Sequence, residues 1–315
     1  METKLRLPKR LAGPATIGLC APSGSVNQEA LGRAVAFLEA KGHRVVVAPQ
    51  TAFQWRYFAG SDQERLDAFH QMLADPTIDI LMSARGGYGW TRFLNQVDFA
   101  AVAKTDKIIV GFSDFTAFNL AALAQSNLVT FAGPMAASDF GNGNVSAFME
   151  DNFWPLLAAS THTIEIANCV QTCAPQIIEG PLWGSNLCLL TNLVGTPYIP
   201  AIEGGILFLE EVSEEPYAVE RMIFQLYHAG ILGRQKALIL GDFEECKPGE
   251  KSRYPYQMTE VIESLRALLP IPILTGLPFG HIREKITIPI GGMASVKITD
   301  TGFQVKFSGY NTNKS

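Results

Sequence analysis

Apolar positions in the first half of the chain fall into two alternating patterns. Short, almost continuous apolar runs at residues 15–20, 44–48, 78–83, 107–111 and 129–131 predict buried strands. Between them, apolar residues recur at helical spacing, as at Leu31, Ala34 and Leu38 within 28–41, and again within 115–124. Ser61-Asp62-Gln63-Glu64 offers a hydroxyl to the free N–H groups of a helix start and a carboxylate three residues on. A helix is therefore expected to open there and run to about Ala74. Apolar strands alternating with helices predict a mostly parallel sheet covered on both faces.

The second half reads differently. Strands are expected at 180–184, 206–211 and 236–241, and helices at 186–193, 218–229 and 258–269. The tail from 286 to 307 alternates as short strands, with Gly291-Gly292 and Asp300-Thr301-Gly302 as turns. The change of style falls in a polar stretch without strong helical period. The expected division is residues 1–160, a linker at 161–176, and residues 177–315.

Composition narrows the function classes. With 47% hydrophobic and 17% charged residues, the chain is globular rather than disordered. A net charge of −5 argues against a broad nucleic-acid footprint. No uninterrupted apolar run reaches the ~18 residues of a membrane helix. Lys4, Arg6, Lys9 and Arg10 precede an apolar stretch and imitate a secretory signal, but Gly13 and Pro14 interrupt it. The expectation is a cytoplasmic protein, with an exported form left open. The five cysteines are scattered, and only Cys169 and Cys173 lie close together, without a histidine at zinc-site spacing. No metal is expected, and such thin cysteine usage fits a reducing compartment.

Four features carry candidate chemistry. In Ile108-Ile109-Val110-Gly111-Phe112-Ser113-Asp114 a buried strand runs through a glycine into a serine and then a helix. That is the arrangement of a nucleophile elbow, although Phe115 stands where the usual pattern has a second glycine. The simpler local reading is that Ser113 or Asp114 caps the helix. Arg85-Gly86-Gly87-Tyr88-Gly89 also follows a strand, and its glycines allow close backbone approach and free N–H groups. A plain turn between strand and helix is the alternative reading. Glu210 and Glu211 end the apolar strand at 206–211, as a buried acid or as two solvated rim carboxylates. Among five histidines, His281 stands apart in Gly276-Leu277-Pro278-Phe279-Gly280-His281, a loop framed by glycine and proline. Ser113, His281 and Glu210 together supply a nucleophile, a base and an acid to orient the base.

These blocks resemble the murein LD-carboxypeptidases, a family of serine peptidases. The resemblance runs nearly end to end. It rests on Ala21-Pro22-Ser23-Gly24, Tyr57-Phe58-Ala59-Gly60-Ser61, Ala84 to Gly89, Gly111 to Asp114, Leu207 to Glu211 and Pro289-Ile290-Gly291, in that order. It implies an α/β fold: a Rossmann- or flavodoxin-like N-terminal domain and a smaller, β-rich α/β C-terminal domain, meeting in a cleft. It implies Ser113 as nucleophile, Glu210 as supporting acid and His281 as base, with Glu211 where the family has aspartate. The oxyanion hole would be the backbone N–H groups of Asp114 and Gly86. Substrate contacts would come from Arg85, Gly87, Trp183, Ser185 and Asn186; the family often reads Gly-Gly-Asn-Leu where this chain has Gly184-Ser185-Asn186-Leu187. The implied activity is release of the terminal D-alanine from murein tetrapeptides, by a cytoplasmic homodimer with no cofactor or metal and no nucleic-acid or membrane partner. Arg85 and Arg283 are the candidates for reading the substrate's carboxylate. Two alternatives accompany this reading. One is a microcin-C-type immunity peptidase, whose nucleobase an aromatic such as Trp183 would stack. The other is a non-catalytic cell-wall-peptide binding protein.

Overall fold

The computed structural model describes residues 4–167, 173–250 and 255–312. The first half forms β1 (Thr16–Cys20), α1 (Gln28–Ala40), β2 (Arg44–Val47), α2 (Asp62–Ala74), β3 (Ile80–Ser83), the short α3 (Phe99–Val102), β4 (Ile108–Val110), α4 (Thr116–Ser126), β5 (Thr130–Ala132) and α5 (Ala147–Ala158). Strands β1 to β5 are parallel, in spatial order β2-β1-β3-β4-β5. This is the doubly wound order whose ligand crevice lies beyond the strand C-termini, where the order reverses between β1 and β3. The strands are mainly apolar because helices cover both faces: every residue of β3, β4 and β5 is buried, while on the edge strand β2 Arg44 is exposed and the valines are half-buried. The expected capping box forms, with Ser61 accepting from the Glu64 N–H and Glu64 accepting from the Ser61 N–H.

The second sheet is built from β6 (Thr161–Ala167), β7 (Ile177–Asn186), β8 (Ile206–Val212), β9 (Ala237–Glu244), β10 (Ile273–Thr275), β12 (Met293–Thr299) and β13 (Gly302–Ser308), in order β10-β9-β8-β7-β12-β13-β6. Helices α6 (Leu187–Asn192), α7 (Pro216–His228) and α8 (Met258–Leu268) connect it. Strand β7 is twice the predicted length because it serves two neighbours. Ile177 to Pro181 pair antiparallel with β12, and Leu182 to Asn186 pair parallel with β8.

Three departures from expectation have physical causes. Thr161–Ala167, read as linker, is β6, an edge strand in register with β13. Only Ile164 and Ile166 of it are buried, so its sequence carries too little apolar signal to stand out. Residues 168–172 of that expected linker, with Cys169, lie outside the described residues. Strand β11 (Ile288–Ile290) leaves the tail and pairs antiparallel with β5 on the first sheet. Pro289 is tolerated there because β11 is an edge strand. Helix α5 lies outside the predicted elements, because Pro155 inside it interrupts the pattern. Among the described residues, no helix is long and apolar enough to cross a membrane.

The core beneath the crevice is aromatic. Phe118 packs its ring 4.9 Å from Phe69, 4.8 Å from Trp90 and 5.2 Å from Phe115, and is fully buried. Phe118→Ala is expected to cost about 3–5 kcal/mol, read as a lowered urea midpoint with unchanged slope. A loss below about 1 kcal/mol would show that this cluster does not carry the core.

Candidate active site

The turn after β4 positions a hydroxyl. Ser113 adopts φ +62, a left-handed conformation that serine seldom takes. Gly111 makes room for the turn: a β-carbon there would stand 2.6 Å from the Phe115 ring. Phe115 thus folds back beneath the elbow and joins the aromatic core, which explains why it replaces the usual glycine. Neither Ser113 nor Asp114 caps the helix. Instead the Ser23 hydroxyl donates to Asp114 Oδ2 at 2.5 Å and the Trp90 N–H donates to the same oxygen at 3.0 Å. Asp114 thereby joins the loop after β1, the glycine loop after β3 and the turn after β4. Arg65, buried beside them, donates to the Pro22 carbonyl at 2.6 Å and to that of Gly60 at 3.3 Å, and pairs with Asp62. Burial dominates over the hydrogen bonds and pushes the Asp114 carboxyl up to about 6.

The second sheet supplies the partners. His281 Nε2 lies 3.0 Å from Ser113 Oγ, and His281 Nδ1 lies 2.8 Å from Glu210 Oε2. A carboxylate only accepts, so Nδ1–H donates to Glu210 and Nε2 is free to accept the serine proton. Glu210 is fully buried and the His281 side chain is 21% exposed. The glutamates are therefore not solvated rim residues. An irregularity in the β8–β9 pairing between Leu209 and Glu211 separates their tasks. Glu211 accepts from Asn186 Nδ2 at 3.1 Å, the Cys188 N–H at 2.7 Å and the Val212 N–H at 2.9 Å. Burial, then the charge of Glu210, raises its carboxyl above the usual range.

The glycine loop closes on the serine. A β-carbon on Gly86 would stand 2.7 Å from Ser113 Cβ and 2.9 Å from its Oγ. Gly87 has φ +106, and a β-carbon there would meet the Tyr57 hydroxyl. Only glycine at both positions allows the backbone to lie against the hydroxyl. The resulting cleft, about 530 Å³, is lined by Arg85, Gly86, Gly87, Ser113, His281 and Arg283, and also by Asp139 and Lys285. A cavity of about 600 Å³ elsewhere, between Arg10, Lys41 and Trp154, has no hydroxyl or thiol in its lining. Chemistry rather than volume selects the cleft.

The placement corrects part of the expected substrate site. Trp183 is buried, donates its indole N–H to Gln235 at 2.9 Å and lines a separate cavity of about 300 Å³. Ser185 and Asn186 are also buried and do not line the cleft. Asn186 instead caps α6, accepting from the Leu189 N–H, and its own N–H reaches Thr116 Oγ1 at 3.4 Å. Asn186 thus braces the helix that follows the elbow. Sequence reasoning missed Asp139 and Lys285. Lys285, four residues after His281 and at the head of the strand-like stretch Ile286 to Ile290, was the available signal; Asp139 had none. The other four histidines are engaged elsewhere: His43 accepts from the Ala15 N–H, His70 accepts from that of Asp98, His162 lies 3.1 Å from Asn152 Oδ1, and His228 packs beside Phe224 and Tyr227.

Residues 17–133 match the LD-carboxypeptidase N-terminal domain and residues 179–296 the LD-carboxypeptidase C-terminal domain. A probable murein peptide carboxypeptidase of Bacillus subtilis is 33% identical over 295 residues, 93% of this chain and 92% of that protein. The crystal structure of a muramoyltetrapeptide carboxypeptidase from Oxalobacter formigenes superposes with a TM-score of 0.88 at 38% identity, covering 94% of this chain and 100% of that one. The microcin C7 self-immunity protein MccF of Escherichia coli is 27% identical over 340 residues, 96% of this chain and 98% of that protein.

The raised Asp114 carboxyl has a stability consequence. The folded state holds this proton more tightly than the unfolded chain, where the group titrates near 3.8. Its contribution is therefore fully present below about pH 4 and lost as pH rises through about 6. Asp114→Asn does not titrate. Wild-type stability relative to this variant should fall by on the order of 3 kcal/mol between pH 4 and pH 7. Urea unfolding at both pH values measures it; a difference independent of pH would refute the assignment.

Proposed function

The chain belongs to the LD-carboxypeptidase family, and from that premise we propose that it is a serine carboxypeptidase releasing the terminal D-alanine of murein tetrapeptides. The observation that carries the reading is the hydrogen-bonded chain from Ser113 through His281 to Glu210, at 3.0 and 2.8 Å, beside a glycine loop pressed against the hydroxyl. Ser113 Oγ attacks the carbonyl carbon of the L,D amide bond while His281 Nε2 takes its proton. The oxyanion faces the backbone N–H groups of Asp114 and Gly86. His281 then delivers the proton to the leaving nitrogen, the C–N bond breaks and D-alanine departs. Water, deprotonated by His281, attacks the acyl ester and restores Ser113. Glu210 holds the imidazole in the required tautomer and stabilises the imidazolium as it forms.

The names of the relatives support the substrate class. The toxin-cleaving alternative loses its particular support, because Trp183 is buried and hydrogen-bonded rather than turned into the cleft. The reading carries with it the homodimer implied by the family resemblance, in a reducing compartment. Free thiols at Cys20, Cys173, Cys188 and Cys246 support that compartment.

Mass spectrometry of the protein incubated with murein tetrapeptide should show loss of one alanine. Ser113→Ala should lower the rate about 10⁴-fold or more with the fold intact by circular dichroism. Activity retained in that variant would remove the nucleophile. Gly86→Ala should lower kcat about 100-fold, because the new methyl displaces Ser113 by a fraction of the distance to substrate. An unimpaired Gly86→Ala enzyme would dismiss the loop's catalytic part.

A further inference from the structure

A carboxypeptidase must recognise a free carboxylate beside the bond it cuts, and an acidic chain needs a local cation for that. Three cations line the cleft: Arg85, Arg283 and Lys285. What already holds each of them differs. Arg85 donates to the Ser25 carbonyl, lies 5.8 Å from the Tyr57 ring centre and rests against Gly24. It is committed to joining loops. Arg283 is exposed and donates to the carbonyl and the side chain of Asn144 at 3.3 and 3.2 Å. An ion pair in water at such a position contributes little.

Lys285 is 3% exposed yet forms part of the cleft wall. Its Nζ donates to Asp139 Oδ1 at 2.7 Å and lies 4.0 Å from the ring centre of Phe112, the residue before the nucleophile. Asp139 turns its other oxygen away, to the Met135 N–H at 2.8 Å. An ammonium has three donors, and here one carboxylate oxygen and one aromatic face engage it. A buried charge is costly unless its hydrogen-bonding capacity is met, so this ammonium has capacity for an anion in the cleft. Its side of the cleft is also defined. The His281 ring lies 5.1 Å from the same Phe112 ring, so Lys285 and His281 flank one side chain. His281 delivers its proton to the leaving amine, and that amine is one carbon from the carboxylate.

We propose that Lys285, held in place by Asp139, receives the free carboxylate of the leaving amino acid. The proposal rests on the carboxypeptidase reading and names the residue that makes the enzyme select a chain end. Asp139 is a positioning residue.

The test compares kcat/KM for murein tetrapeptide and for its C-terminal amide. Their ratio does not depend on the fraction of folded enzyme. Wild type should prefer the acid about 30-fold or more, the size expected for a contact to a desolvated charge. Lys285→Gln should bring the ratio close to one, mostly through KM for the acid, and Lys285→Arg should restore part of it. Arg283→Gln should leave the wild-type ratio. Because Lys285→Gln leaves Asp139 unpaired and can fail to fold, the double variant Lys285→Met/Asp139→Leu provides the same ratio without a buried lone charge. A wild-type ratio in Lys285→Gln or in the double variant overturns the proposal, as does its loss in Arg283→Gln. Wild type cutting acid and amide equally well overturns this inference alone. Wild type cutting neither overturns the carboxypeptidase reading and this inference with it.

Discussion

The architecture of the cleft depends on the buried carboxylate of Asp114. Three loops emerge from the C-terminal ends of β1, β3 and β4, each from a different part of the sequence. One carboxylate oxygen accepts from Ser23 on the first and Trp90 beyond the second, while its own residue lies on the third. A carboxylate in such surroundings is costly, as its raised proton affinity shows. The neighbouring Arg65, itself buried and bonded to Pro22 and Gly60, opposes that cost electrostatically. The strained φ of Ser113 persists because this network over-determines the turn.

A second constraint is that the hydroxyl and its partners sit on different sheets. Glu210 lies 71 residues from His281, and His281 lies 168 residues from Ser113. Their distances hold only if the sheets keep a fixed relation. Strand β11 contributes to this, since it leaves the segment just after His281 and Lys285 to pair with β5. Asn186 contributes from the other side, with its N–H on Thr116 and its side chain on Glu211. The adjacent glutamates thus divide between two tasks: Glu210 faces the imidazole, and Glu211 secures the start of α6 and the end of β8.

Much of this was legible along the chain, because it depends on neighbours. The parallel strands read as apolar runs, with β3, β4 and β5 buried on both faces, and the capping box at Ser61 is a contact across three residues. The elbow was visible as a strand, a glycine, a serine and a helix. Its structural reason, Phe115 folding onto Gly111, is also a contact within one turn. Ser113, Glu210 and His281 each stood at the end of a strand or in a framed loop, so the residue types that could form a relay were identifiable.

The remaining features involve partners far apart in sequence, for which no local pattern exists. Edge strand β6 buries two side chains and owes its form to β13. Strand β11 belongs to the first sheet although its neighbours in sequence join the second. Trp183 could have faced the cleft or the core, and Gln235, 52 residues on, accepts its indole N–H in the core. The pair of Asp139 with Lys285 spans 146 residues. Most elements, the elbow and the chemical types available follow from local sequence, because backbone propensity and burial periodicity act over a few residues. Which of those side chains meet was decided by the packing of two sheets, where burial makes each unpaired polar group costly and so selects its partner.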